Sequence, residues 1–313
     1  MKALILAAGL STRMKPLTDK LPKPLVPFFD STLLEFQKFY LNYYGIEHIA
    51  MNTHYHKNVL KKFILDKKLP IELFFEETIL GTGGGIANMA PFIEKDSDFV
   101  VINCDFISTI DLKAAIDEHK KNKALATMVL TPPKKAYGKV GYNQLKKLTE
   151  ITPHQKNPAT SAYGHFTGIH IFNQKIFNHM PQDKEFFCIN RDVYSQLIEK
   201  NLPVFAHVND QDHWIDVGEL RYYSTAHIQC MRLIEDSPWL SDYFKDYQKH
   251  DQSWVHPSSK IGNNVDMNEI FIGPHCTLKD GCVLMKGTVL AGHNTVGPKN
   301  VLKGGIIAQG ESI

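Results

Sequence analysis

The sequence predicts an α/β protein: a mixed sheet flanked by helices over residues 1–235, then a short left-handed parallel β-helix over residues 254–313. Three observations carry this. Short, fully apolar runs alternate with helically patterned segments through residues 1–235. The closing stretch, residues 254–313, keeps an aliphatic beat of six. Between them, residues 236–253 form a charged, aromatic-rich connector that contains Pro238.

Ala3-Leu4-Ile5-Leu6 is an apolar strand running into a Gly-containing polar loop. Ser31 is placed to cap a helix with Leu33, Phe36 and Tyr40 on one face, and Gly45 to end it. Residues 46–52 read as a second strand and residues 71–75 as a third. Gly83-Gly84-Gly85 opens another helix, where three glycines favour close approach of a ligand. Residues 99–102 form a buried strand leading into Asn103-Cys104-Asp105, and further strands follow at residues 126–130, 168–172 and 204–208. Ligands of such sheets sit beyond the carboxyl ends of the strands, which points to the loops after Leu6, Phe75 and Ile102.

In the closing stretch, Ile272, Leu278, Leu284, Leu290, Val296 and Leu302 fall six residues apart. Val255, Ile261 and Met267 extend the beat upstream, with one residue missing before Ile272. Cys276, Cys282 and Thr288 recur four places after an aliphatic residue, as interior residues of stacked turns would. At three hexapeptides per turn this makes at most about three turns. Its flat faces and edges suit assembly into a homo-oligomer.

The chain has 313 residues, 43% hydrophobic and 22% charged, which excludes disorder and low-complexity classes. With 35 Lys and Arg against 33 Asp and Glu, the net charge of +2 lacks a nucleic-acid footprint. Five cysteines without a C-x-x-C pair fit reduced thiols in a cytoplasmic protein. No apolar run approaches the ~18 residues a membrane span needs, and the apolar start reads as a buried strand instead of a signal peptide.

The strongest signal is Leu6-Ala7-Ala8-Gly9-Leu10-Ser11-Thr12-Arg13-Met14-Lys15-Pro16-Leu17-Thr18, then Pro22-Lys23-Pro24-Leu25. A strand ends in small residues whose backbone N–H groups can approach a polyphosphate. Arg13 offers a planar fork for phosphate oxygens, and Lys23 a point charge held between two prolines. Neither G-x-G-x-x-G nor G-K-[ST] is present, so the loop is not a dinucleotide fingerprint or a P-loop.

These residues resemble the sugar-1-phosphate nucleotidylyltransferase family, whose signature is G-x-G-T-R-x-x-P-L-T followed by P-K-P-L. The resemblance spans the first domain and continues in Met51-Asn52-Thr53-His54-Tyr55-His56, Gly81-Thr82-Gly83-Gly84-Gly85-Ile86, Phe166-Thr167-Gly168-Ile169 and Trp214-Ile215-Asp216-Val217-Gly218. It implies a Rossmann-like nucleotidyltransferase sheet. It also implies a reaction of a nucleoside triphosphate with a sugar 1-phosphate, giving a nucleotide sugar and pyrophosphate for cell-envelope biosynthesis. By position, Ala8, Gly9, Ser11, Thr12 and Arg13 are similar to the triphosphate loop, and Lys23 to the residue on the reacting phosphates. Glu77, Gly81, Thr82, Gly83 and Gly84 resemble the loop that touches base and ribose. Asp105 and Asp216 match the family's Mg²⁺ carboxylates; Gly138, Glu150 and Gly168 match its sugar pocket. Taken alone, Asp105 is also placed to cap a helix, and His54 and His56 read as structural.

Two departures stand out. Ser11 replaces a glycine of the signature, so the loop must accept a β-carbon there. Glu150-Ile151-Thr152-Pro153 lacks the lysine of the family's Glu-Lys-Pro, which leaves Lys139 or Lys156 for the sugar phosphate. That absence, with Phe166-Thr167-Gly168-Ile169, favours UTP and an N-acetylmuramate-type sugar; mannose-1-phosphate guanylyltransferase is the alternative. Two other classes remain: a non-catalytic nucleotide-sugar sensor, and an enzyme whose β-helix transfers acyl groups through His256, His275 or His293.

Overall fold

The computed structural model describes residues 1–95, 97–133, 139–151, 157–208, 210–211 and 213–313. The chain forms two units, Met1–Leu10 with Leu41–Trp214, and Ser11–Tyr40 with Ile215–Ile313.

The first unit holds a nine-stranded mixed sheet. Its strands are β1 (Lys2–Leu6), β2 (His48–Thr53), β3 (Ile71–Phe75), β4 (Asp98–Asn103), β5 (Ala126–Thr131), β6 (Lys139–Tyr142), β7 (Leu148–Ile151), β8 (Ala162–Asn173) and β9 (Val204–Val208). Their order is β7-β6-β8-β4-β1-β2-β3, with β5 on β8 and β9 on β5. Central β1 sets Leu4 beside Ala50 and Val101 in parallel pairs. Ala3, Leu4 and Ile5 are fully buried, because both faces of a central parallel strand are covered. Parallel pairing therefore sends β1, β2, β3 and β4 in one direction.

β8 is longer than predicted. Its first half pairs with β6 and its second with β4, and its register against β5 shifts between Phe166 and His170. β6 and β7 were not anticipated, since four-residue antiparallel strands carrying Lys139 and Glu150 have no apolar run to announce them. Helix α1 (Leu33–Tyr43) is capped by Thr32, not by Ser31. Thr32 Oγ1 accepts the Glu35 N–H at 3.2 Å, and Glu35 Oε2 accepts the Thr32 N–H at 3.1 Å, a reciprocal capping box. Gly45, at φ +75°, ends the helix as predicted; Ile46 N–H reaches Leu41 O and Gly45 N–H reaches Asn42 O. Helices α2 (Lys57–Asp66), α3 (Gly81–Asn88) and α4 (Leu112–Lys121) complete what positions the loops of the first unit.

The second unit ends in stacked parallel strands. Ser253–Val255, Phe271–Ile272, Thr288–Leu290 and Gly305–Ile307 form one stack. Lys260–Ile261, Thr277–Leu278 and Thr295–Val296 form the second, and Asp266–Met267, Val283–Leu284 and Val301–Leu302 the third. This is the parallel β-helix that the six-residue beat predicts. Three strands make a turn, and the missing residue before Ile272 shortens the first one: Trp254 stands opposite Phe271, and Phe271 opposite Val289. Ile272, Leu278, Leu284, Leu290 and Val296 are buried with Cys276 and Cys282, while Ile261, on the first turn, is 37% exposed. All five cysteines are free thiols.

Residues 236–253 contain a helix, α6 (Pro238–Tyr243), which follows α5 (Leu220–Leu233). Trp239 on α6 meets Phe36 at 5.6 Å between ring centroids. Phe29 lies 5.1 Å from Phe244 and 4.6 Å from Phe271 of the β-helix. Such ring pairs add about 0.5–1.5 kcal/mol each beyond burial. They explain why residues 11–40 belong with the C-terminal half of the chain. No helix among the described residues is long and apolar enough to cross a membrane.

Two buried histidines make this fold acid-sensitive. His227 Nε2 accepts the Phe29 N–H at 3.3 Å while Nδ1–H donates to Tyr223 O at 2.8 Å, a pairing only the neutral ring can make. Burial pushes His227 down to about 4, and His170, which meets Tyr194 Oη at 3.0 Å, to about 3. Below the unfolded value of 6.5 the unfolded chain binds protons that the folded chain refuses, so stability falls with pH from there toward about 4. Each histidine contributes about 1.4 kcal/mol per pH unit to that fall. Urea denaturation midpoints should drop steadily between pH 7 and pH 5; a flat profile would show that neither ring is held neutral.

Candidate active site

Three of the residues singled out, Arg13, Lys23 and Asp216, lie in the second unit and come together around the turn at residues 216–219. Asp216 ends the short strand Trp214–Asp216, and its Oδ1 accepts the Gly218 N–H at 2.6 Å. The Gly218 carbonyl accepts from Lys23 Nζ at 3.5 Å. Next in sequence, Glu219 Oε1 binds Arg13 Nη1 at 2.8 Å and Oε2 binds Arg221 Nε at 2.6 Å. Hydrogen bonding to Arg13, with Arg221 beside it, holds the Glu219 carboxyl below its ordinary range. One turn thus steers both cations of the N-terminal motif, from 195 and 206 positions away in sequence.

Lys23 opens a tight turn, Lys23–Leu25, and is 9% exposed. Arg13 lies in another, Thr12–Met14, and its side chain is 63% exposed. Ser11, before it, has φ 55° and ψ 29°, the left-handed region that explains glycine at this place in the signature. The structure accepts the β-carbon, and the Ser11 carbonyl takes the Thr18 hydroxyl at 2.8 Å and the Met14 N–H at 3.1 Å.

The other candidates, Ser11 and Thr12 apart, lie in the first unit. Ala8 and Gly9 follow β1, and a β-carbon on Gly9 would meet no atom within 4 Å. Asp105 follows β4. It does not cap α4; Asp111 does, accepting the Ala114 N–H at 3.1 Å. Among the described residues no group of three or more His, Cys, Asp or Glu side chains is arranged to hold a metal. His54 meets the Glu76 carbonyl through Nδ1 at 2.9 Å, as a structural histidine does.

The glycines of α3 also admit a close approach by the chain itself. Gly83 and Gly84 N–H groups both reach the Phe187 carbonyl, at 2.9 and 3.3 Å. A β-carbon on Gly83 would stand 2.4 Å from the Phe187 ring, and one on Gly84 2.3 Å from the Glu185 carbonyl. The close approach here is by the chain itself. Gly81, at φ +73°, and Thr82 Oγ1, which accepts the Ile189 N–H at 3.1 Å, belong to the same junction. Gly83→Ala is therefore expected to lower stability by about 1–3 kcal/mol by overpacking, against about 1 kcal/mol of helix propensity gained. Gly9→Ala should melt like the wild type. Thermal melting checks both, and an unchanged transition in Gly83→Ala would refute the packing role.

Glu77 is exposed, at 84%, and paired with Lys57 at 2.8 Å, which lowers its carboxyl below the ordinary range. The buried acid beside it is Glu76, at 2% exposure, which no motif in the sequence marks; Asn52, which lies in the segment Met51 to His56, is 3% exposed. Glu150 is engaged on both oxygens, by Thr160 at 2.8 Å, Tyr163 at 2.7 Å and the Asn157 N–H at 3.3 Å. Gly168 has φ +84°, and a β-carbon there would stand 2.9 Å from Asn103 Nδ2. Gly138 and Lys156 lie outside the described residues.

Comparison with known proteins adds the family. A family model described as nucleotidyl transferase matches residues 2–232. Mannose-1-phosphate guanylyltransferase of Mycobacterium tuberculosis is 30% identical over 292 residues, 91% of this chain and 80% of that protein. UTP–glucose-1-phosphate uridylyltransferase of Synechocystis sp. is 29% identical over 243 residues, covering 72% of this chain and 62% of its own length. The crystal structure of HddC from Yersinia pseudotuberculosis superposes with a TM-score of 0.61 at 23% identity, over 73% of this chain and 98% of that one. A second HddC structure, with GMP-PN, gives 0.60 at 22% identity, over 73% and 98% of the two chains. These last two establish the fold.

Proposed function

The chain belongs to the nucleotidyl transferase family, and from that premise we propose that it joins GTP to mannose 1-phosphate, giving a nucleotide sugar and pyrophosphate. The observation that carries the choice is the reach of the alignment. The relatives matched along nearly the whole chain, tail included, bear the name mannose-1-phosphate guanylyltransferase. UTP with an N-acetylmuramate-type sugar is the second reading, favoured by Phe166-Thr167-Gly168-Ile169 and by the missing lysine after Glu150.

The attacking group is a phosphate monoester, largely dianionic near neutral pH because its second pKa is about 6, so no general base is needed. The protein's work is alignment and neutralisation of charge at the α-phosphate and the leaving pyrophosphate. In this reading Arg13 and Lys23 bind the phosphates, as does the backbone of Ala8 and Gly9. Asp105 and Asp216 would hold Mg²⁺, which when bound supplies positive charge to the phosphate oxygens. Two carboxylates suit that ion, because magnesium takes few protein oxygens and completes its shell with substrate phosphates and water. Asp216 is already oriented by the Gly218 N–H. A sensor would have no use for these four side chains, and all four are present.

The test is pyrophosphate release with Mg²⁺ across GTP, UTP, ATP, CTP and dTTP, each against mannose, glucose, N-acetylglucosamine, N-acetylmuramate and heptose 1-phosphates. GTP with mannose 1-phosphate should turn over fastest. Turnover only with UTP and N-acetylmuramate 1-phosphate would select the second reading.

A further inference from the structure

Beneath the loop that follows β1, two buried side chains bridge three strand ends. Asn52 Oδ1 accepts the Ala7 N–H at 2.7 Å, and Asn52 Nδ2 donates to Glu76 Oε1 at 2.7 Å. Glu76 Oε2 accepts the Leu80 N–H at 3.1 Å, where α3 begins. The Glu76 backbone is itself fixed, its N–H on Thr53 O at 2.8 Å and its carbonyl on His54. A β-carbon on Gly85 would stand 2.5 Å from Asn52 Nδ2 and 3.0 Å from Glu76 Oε1, so the fourth glycine of α3 makes room for this pair.

We propose that Asn52 and Glu76 are positioning residues that set the backbone of residues 7–9 for the nucleoside triphosphate. The inference rests on the reading of that loop as the triphosphate cradle. The relay has a fixed polarity. Both of its ends, Ala7 and Leu80, are backbone donors, so an acceptor must face each of them and one donor–acceptor contact must join the two side chains. An amide at 52 and a carboxylate at 76 satisfy this without remainder, since a carboxylate accepts on both oxygens. Loss of any link leaves a buried N–H or amide unpaired, and the loop, which starts one residue after β1, is no longer held at its origin. A displacement of about 1 Å in such a loop costs on the order of 100-fold in turnover.

The polarity supplies its own test. Asn52→Asp sets two carboxylates against each other, and Glu76→Gln turns an amide N–H toward a donor. The double substitution Asn52→Asp/Glu76→Gln reverses the central bond. The new carboxylate accepts from Ala7 and from the new amide, whose oxygen accepts from Leu80, with net charge and size unchanged.

Calorimetric affinity for the nucleoside triphosphate with Mg²⁺ and steady-state pyrophosphate release would be measured on wild type, both singles and the double. Each single should weaken triphosphate affinity and kcat/KM for the triphosphate by about 10- to 100-fold, with KM for the sugar phosphate within about twofold. The double should recover most of that loss. Singles that bind as the wild type does overturn the proposal, as does a double no better than the singles. If the singles fail to fold, the double alone decides, by reaching near-wild-type affinity or missing it. A wild-type chain that takes up no nucleoside triphosphate overturns the cradle reading itself, and this inference with it.

Discussion

Asp105→Asn and Asp216→Asn are each expected to lower magnesium-dependent pyrophosphate release by about 10³-fold, equivalent to about 4 kcal/mol of transition-state stabilisation. The exchange removes a charge and keeps the shape. Asp216 Oδ1 accepts the Gly218 N–H at 2.6 Å, and an amide oxygen can accept it equally. The turn that carries Gly218 and Glu219 therefore keeps its form, and the loss falls on metal binding. Asp105 caps no helix, so its substitution spares α4, which Asp111 caps. Rates measured over a series of Mg²⁺ concentrations should show a higher requirement for the ion in both variants. Near-normal turnover at ordinary Mg²⁺ in either one would remove that residue from the metal site.

Lys23→Met should cost about 10²- to 10³-fold in kcat, the scale of losing one preorganised charge at a developing anion. The lysine is 9% exposed, in a turn closed by Leu25 N–H on Pro22 O and Val26 N–H on Lys23 O. Its stem is fixed by the prolines on either side, and its ammonium donates to the Gly218 carbonyl at 3.5 Å. Methionine keeps the buried stem and drops the charge, so melting should be little changed while turnover collapses. Lys23→Arg should not restore it, because a planar guanidinium does not fit where a compact point charge is held. A Lys23→Met enzyme within a fewfold of wild type would show that the ammonium serves packing alone.

Much of this was legible in the sequence because its causes are local. The apolar run at Ala3-Leu4-Ile5-Leu6 could only be a central strand, and the six-residue beat could only repay its periodicity by stacking. The Pro-Lys-Pro frame announced a rigid cation. Gly45 marked a helix end through its own backbone freedom. Elsewhere the expectation missed by one residue: Ser31 was expected to cap α1, and the capping box falls on Thr32. Beside Glu77, the acid expected at the site, Glu76 is buried and hydrogen-bonded to Asn52.

What the sequence determined by itself was the order of the apolar strands and the helices between them, the repeat and the presence of a phosphate-directed motif, since periodicity and turn chemistry act over a few neighbouring residues. Tertiary structure decided which glycines leave space and which fill it. Gly9 faces open surroundings, while Gly83 and Gly84 give way to Phe187 and Glu185, about a hundred residues on. It also joined residues 11–40 to residues 215–313, so that Arg13 and Lys23 meet the turn at Asp216. Those outcomes depend on hydrogen-bond polarity and on volume shared by distant segments, and both quantities exist only once the chain has closed on itself.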